Sequence, residues 1–224
     1  MTSDDILKNL NRRFDHALLR SDATEKDIVA MCAEAREHDF YSVAVNPCWA
    51  GLAHEALAGS EVKVLGVSGF PLGASRTDLK IEEAIRGVRD GAEDIDMVAN
   101  IGWLADDRYS SAEQEIKAVR DALPFSIVLK VIIEAGMLTI QQQVDATRSV
   151  VNGGAQFVKT CTGFFGGATV PQVQTLVGAA AGDIEVKASG GIKTLDQCRS
   201  LLEVGATRLG SSASVAIMAE LSRS

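Results

Sequence analysis

Short apolar runs recur along this chain, and each is followed by a longer stretch whose apolar positions fall at helical spacing. Strand-like runs alternating with helical patterns are what repeated βα units produce, and they predict a parallel sheet. The runs place strands near Arg13–His16, Ser42–Asn46, Lys63–Ser68, Asp94–Ala99, Ile127–Glu134, Gln156–Thr160, Glu185–Ala188 and Arg208–Gly210. Three of them repeat one pattern, a helix ending in Gly, then a small residue, then a strand: "RDGAEDIDMV", "NGGAQFVKT" and "EVGATRLGSS". Glycine there predicts a left-handed cap on the preceding helix. Helix starts are legible at Thr24 with Asp27, at Pro47 and Pro171 in first-turn positions, and at Thr194, while "SASVAIMAEL" reads as the last helix. Eight strands in this length fit an α/β fold of the (β/α)8 TIM-barrel kind, with a short additional N-terminal helix and one domain over residues 1–224. A doubly wound sheet more often uses five or six strands.

Alternation along each strand says which side chains share a face. Asp94, Asp96, Val98 and Asn100 fall together, as do Val128, Lys130, Ile132 and Glu134; so do Phe157, Lys159 and Cys161, and Glu185, Lys187 and Ser189. The outer face of a barrel strand packs under helices, where an unpaired charge is costly, so these charged faces are expected to turn inward. Lys130, Lys159 and Lys187 are then expected to face Asp94, Asp96 and Glu134. One lysine near a strand end is ordinarily a snorkelling or ion-paired residue. Three on neighbouring strands, opposite acids, point to chemistry. Lys130 keeps two readings, a member of the reactive set or a structural partner of Asp94 or Glu134.

The chemistry that uses two close lysines is imine formation. Desolvation and a neighbouring positive charge disfavour the ammonium form, and the freed amine attacks a carbonyl to give a Schiff base. An acid–base group must move the protons, and Asp96 is placed for that role, with Lys187 or a water completing the relay. Downstream, "SGGIKT" and "LGSSAS" each end a strand and open a helix, so their backbone amides and the hydroxyls of Ser211, Ser212 or Ser214 form a divided cradle for a phosphate, with Lys193 beside it.

Charge changes this picture only locally. A net charge of −8 argues against a nucleic-acid or anionic-membrane partner, so an anionic ligand must be held by a local pocket. The four cysteines form no CxxC pair, the three histidines show no HxxxH or HExxH spacing, and no signal-like apolar segment stands before "MTSDDILKNL". These features lead to the expectation of a reduced, cytoplasmic protein working without metal or organic cofactor.

The blocks "FDHALLR", "VNPCW", "GFPLGAS", "DIDMVANIGWL", "LKVIIEAGML", "FVKTCTGFFGGAT", "VKASGGIKT" and "ATRLGSSAS" together resemble the deoxyribose-phosphate aldolase family, over roughly Arg13 to Ile217. The two lysine motifs and the acid of "DIDMV" are the most specific of them. The resemblance implies a class I aldolase that reversibly cleaves 2-deoxy-D-ribose 5-phosphate to D-glyceraldehyde 3-phosphate and acetaldehyde, with a homodimer as a family-level expectation. It implies Lys159 as the Schiff-base lysine, Lys187 as the second lysine and Asp96 as the proton-transferring acid. Phosphate would meet Gly163, Gly190, Gly191, Lys193, Gly210, Ser211 and Ser212, and Asp15 and Lys130 would support the site beside the catalytic residues. The chain departs from the family pattern at Ala17 (usually Thr), Cys161 (usually Ser) and Ala213 (usually Ser, so that one expected hydroxyl is missing), and Arg76 replaces a small polar residue, read here as solvent-facing. The alternatives are a related Schiff-base aldolase for another aldehyde or sugar phosphate, and a non-catalytic sugar-phosphate-binding barrel.

Overall fold

The computed structural model describes residues 6–223. Eight strands, β1 (Phe14–Leu18), β2 (Ser42–Val45), β3 (Lys63–Ser68), β4 (Asp94–Val98), β5 (Val128–Ile132), β6 (Phe157–Lys159), β7 (Glu185–Ser189) and β8 (Arg208–Ser211), close into one barrel in sequence order. Every neighbouring pair is parallel, and β1 pairs with β8 through Asp15 and Gly210 to complete the ring. This is the (β/α)8 barrel that the apolar periodicity predicts.

Local signals act where they were expected. Thr24 and Asp27 form a reciprocal capping box on helix Glu25–Glu37, and Thr194 does the same with Gln197 on helix Leu195–Glu203. Two further boxes, Thr139 with Gln142 and Thr169 with Gln172, open the helices after β5 and β6. Pro171 stands in the first turn of the latter helix, and Pro47 opens a 3-10 turn instead of an α-helix. Gly91, Gly154 and Gly205 take φ of +100°, +80° and +107° just past their helices, as the repeated pattern requires. The expected additional N-terminal helix falls in part on residues 1–5, outside the described residues; within them a 3-10 turn, Leu10–Arg13, precedes β1, and the last helix is Ser214–Leu221.

The barrel wall separates two environments. Outward-facing Val43, Val64, Ile95, Leu129, Val131, Val158 and Val186 are buried under the helices in one continuous apolar layer. At roughly 1.5–3 kcal/mol for each fully buried Val, Leu or Ile, this layer offsets the cost of what lies inside. Inward, an apolar cluster forms on the β1–β3 side: Ala44, Leu65 and Val67, packed with Ala17, Leu19 and Phe70. The buried charges lie on β4 to β8 and, through Asp15, on β1.

One inward expectation needs correction. β5 ends at Ile132, and Glu134 sits in the left-handed region at φ +48°, so the two-residue alternation no longer carries its side chain toward the lysines. Its carboxylate instead accepts a hydrogen bond from the Thr162 amide at 2.9 Å.

Candidate active site

Strand register brings the charged residues together. Asp96 pairs in register with Lys130, and Lys159 lies directly beside Lys187. The side chains of Asp15, Asp94, Asp96, Lys130, Lys159 and Lys187 are at most 5% exposed. Lys159 Nζ and Lys187 Nζ both donate to the same atom, Asp96 Oδ2, each at 2.7 Å. The bare repulsion that the sequence suggests between two neighbouring lysines is therefore bridged by a carboxylate. Lys187 reaches a second acid, Asp15, whose Oδ1 also accepts from Ser42 Oγ at 2.7 Å. Lys130 is clasped by Asp94, lies 3.5 Å from Asp96 Oδ1, and stands over the Phe157 ring. Of the two acids considered for Lys130, Asp94 is the partner.

The electrostatics follow from this packing. Burial alone would raise the Asp96 carboxyl, but Lys159, Lys187 and Lys130 outweigh it and hold Asp96 well below the ordinary carboxylate range. Burial would likewise raise Asp15, and Lys187, Lys130 and Arg208 reverse its direction. Lys130 meets the same burial penalty, overcome by Asp94, Asp96 and Asp15, so its ammonium is held above the ordinary value. Lys187 behaves differently. Burial, reinforced by the charges of Lys159 and Lys130, prevails over Asp15 and Asp96 and brings it down to about 8.

A cavity of about 440 Å³ opens at the C-terminal end of the strands, with Lys159 and Lys187 among its lining. Gly163, Gly190, Gly191 and Lys193 line it from the β6 and β7 ends, and Gly210, Ser211 and Ser212 from the β8 end. All seven residues expected to hold phosphate thus meet one space. Gly190 and Gly191 turn at φ +85° and +71°. Ser211 Oγ donates to the Ile192 carbonyl at 2.7 Å and accepts from the Ala213 amide at 2.9 Å, which ties the β7 and β8 turns together. Asp15 also lines the cavity, whereas Asp96 and Lys130 stand behind the lysines.

The unusual positions separate clearly. Ala17 lines the cavity, so the missing hydroxyl concerns the site itself. Cys161 is buried beneath the Gly190 turn, and burial pushes its thiol up. Ala213 packs against the outer core. Arg76 is 81% exposed and paired with Asp78, the solvent-facing placement expected of it. Sequence reasoning missed Arg20, Ser21, Thr162 and Phe164, which also line the cavity from the β1 and β6 loops and carry no periodic signal. It also missed Arg208, although Arg208 shares strand parity with Gly210 and that parity points it inward.

Among the described residues, no group of three or more His, Cys, Asp or Glu is placed to hold a metal ion, and no helix is long and apolar enough to cross a membrane.

No family model matches the chain. Curated relatives do. The chain is 45% identical to deoxyribose-phosphate aldolase 1 of Bacillus licheniformis over 95% of its own length and 96% of that protein. It is 46% identical to the deoxyribose-phosphate aldolase of Lactiplantibacillus plantarum, covering 93% and 98% of the two chains. Among solved structures it matches QR15, an aldolase, at TM-score 0.91 and 36% identity over 96% of each chain. It also matches the tetrameric deoxyribose phosphate aldolase of Aeropyrum pernix at TM-score 0.87 and 28% identity over 99% of each. With near-complete coverage in both directions and the same closed barrel, the chain belongs to the deoxyribose-phosphate aldolase family, a family of carbon–carbon lyases.

Proposed function

We propose that this chain is a class I aldolase that cleaves 2-deoxy-D-ribose 5-phosphate reversibly, through a Schiff base on Lys159. The observation that carries this reading is one carboxylate oxygen, Asp96 Oδ2, shared by two buried lysines at the floor of an open cavity. Lys159 is the better nucleophile by placement. It is held by one acid, whereas Lys187 is held by two and Lys130 is clasped away from the cavity. A lysine serving only as an ion-pair strut has no need to line that space.

The neutral Lys159 amine attacks the aldehyde carbon of the open-chain sugar, and loss of water leaves an iminium. The C3 hydroxyl gives up its proton, and the C2–C3 bond breaks with its electron pair drawn into the iminium as an enamine. D-glyceraldehyde 3-phosphate departs. Protonation of the enamine carbon and hydrolysis of the resulting iminium release acetaldehyde and return the amine. Asp96, kept ionised, suits the role of proton acceptor and relay, while Lys187 near 8 is matched to give and take protons around neutral pH. The Gly190–Gly191 turn, the Gly210–Ser212 turn and Lys193 would hold the phosphate at the cavity's other side.

Incubation with acetaldehyde and borohydride, followed by peptide mass spectrometry, should place a reduced two-carbon adduct on Lys159. An adduct elsewhere, or none, removes the Schiff-base assignment. A direct assay of glyceraldehyde 3-phosphate release from 2-deoxyribose 5-phosphate tests the substrate.

A further inference from the structure

The ion network inside the barrel is unbalanced. Contacts between opposite charges link four bases, Lys130, Lys159, Lys187 and Arg208, with three acids, Asp15, Asp94 and Asp96. None of the seven side chains is more than 12% exposed. Other charges nearby do not enter it. Glu134 spends its carboxylate on the Thr162 amide, and Lys193 is exposed on the far wall of the cavity. Lys63 and Arg12 stand over the Tyr41 ring at the opposite, N-terminal end of the barrel, where Glu185 is exposed. Full ionisation would leave one uncompensated positive charge on side chains buried to this degree, an arrangement that burial strongly disfavours.

One base must give up its proton, and the choice is narrow. A guanidinium does not deprotonate in proteins. Lys130 is clasped by Asp94 beside Asp96. What remains is the Lys159–Lys187 pair, which shares Asp96 Oδ2. We propose that Arg208 is a positioning residue for the reaction: its permanent charge, set against Asp15 on the hidden side of the network, keeps one amine of the Lys159–Lys187 pair unprotonated.

The contacts of Arg208 are those of a charge and not of a geometric clamp. Its Nη1 lies 3.6 Å from Asp15 Oδ1, and neither Nη1 nor Nε has a hydrogen-bond partner among the described residues. Its guanidinium stacks 3.3 Å from the centroid of the Tyr41 ring and does not line the cavity. By drawing on the Asp15 carboxylate, it weakens the hold of that acid on the Lys187 ammonium.

The inference rests on the Schiff-base reading, and the experiment separates the two. Borohydride trapping on the wild-type enzyme tests the reading alone. The inference is tested by the pH dependence of kcat/KM in Arg208→Met and Arg208→Lys. With Arg208→Met the network holds three bases and three acids, so both lysines retain their protons longer. The acid limb should then move up by about one pH unit, a tenfold loss of kcat/KM on its acid side. Arg208→Lys keeps a charge at the same place and should leave the limb near its wild-type position. Should Arg208→Met fail to give folded protein by circular dichroism, Arg208→Gln carries the same expectation. A loss of rate in the neutral variants with an unmoved acid limb would show Arg208 to be structural and would overturn the proposal, as would equal shifts in the neutral and lysine variants.

Discussion

At the scale of single residues, the molecule treats buried lysines in two ways. Lys80 is fully buried between the helices outside the barrel, where its Nζ donates to Glu115 Oε2 at 2.9 Å and to the Val98 carbonyl at 2.8 Å. Glu115 also accepts from the Asn100 amide at 3.1 Å. The pair therefore clamps the end of β4 just beyond Asp96, with every charge answered. Lys80→Met should leave Glu115 buried and unpaired and cost about 3–5 kcal/mol in urea unfolding. Adding Glu115→Leu should recover part of that loss, and a double variant no more stable than the single would refute the buried-charge account. Inside the barrel the four bases, three lysines and Arg208, are left one acid short. Lys187→Leu removes a positive neighbour from Lys159, so turnover should fall and the acid limb of the pH–rate profile should move to higher pH. An unchanged profile would count against electrostatic activation.

At the scale of elements, each βα turn at the cavity is built by local sequence and completed by a neighbour. Gly190 shows both parts. Its φ of +85° suits glycine, and a Cβ there would come within 2.9 Å of the Gly166 carbonyl and 3.0 Å of Gly163 Cα. Gly190→Ala should displace the turn and raise KM for the phosphorylated sugar by about tenfold, while borohydride trapping of acetaldehyde on Lys159 persists. Loss of trapping would mean that the turn supports the lysines themselves. The capping boxes and the glycine caps were readable because each depends on a few consecutive residues. The strands were readable to within two residues at each end for the same reason. The position of Glu134 was not, because the parity of a strand holds only while the backbone stays extended, and β5 ends two residues earlier.

At the scale of the whole molecule, the buried carboxylates tie folding to pH. Asp15 and Asp96 have folded values depressed below 3.8, so the unfolded chain binds more protons in the acid range. The stability they contribute is complete above about 3.8 and is lost as pH falls toward their folded values. The urea midpoint should accordingly change little from these groups between pH 7 and 5 and drop below pH 4, and Asp96→Asn should make that acid drop shallower. An equally steep drop in the variant would assign acid lability elsewhere. The acidic surface bears on the ligand in the same way. With a net charge of −8, the proposed phosphate site rests on the local turns and Lys193 that line the cavity. Unphosphorylated 2-deoxyribose should therefore show a kcat/KM lower by about a hundredfold or more, the worth of two or three charge-assisted hydrogen bonds. Equal efficiency would remove the phosphate assignment.

The sequence by itself determined the alternation of strands and helices, the closure of eight strands into a barrel, and the inward parity of Asp94, Asp96, Lys130, Lys159 and Lys187. These are properties of short-range periodicity, and burial enforces them without reference to partners. Only the tertiary structure decided which acid each lysine meets: Asp96 between Lys159 and Lys187, Asp94 on Lys130, and Asp15 shared by Lys187 and Arg208. Periodicity assigns a side chain to a face. The distance it spans across a closed barrel is set by the register of all eight strands and the reach of the side chains, and no single segment of the chain contains that information.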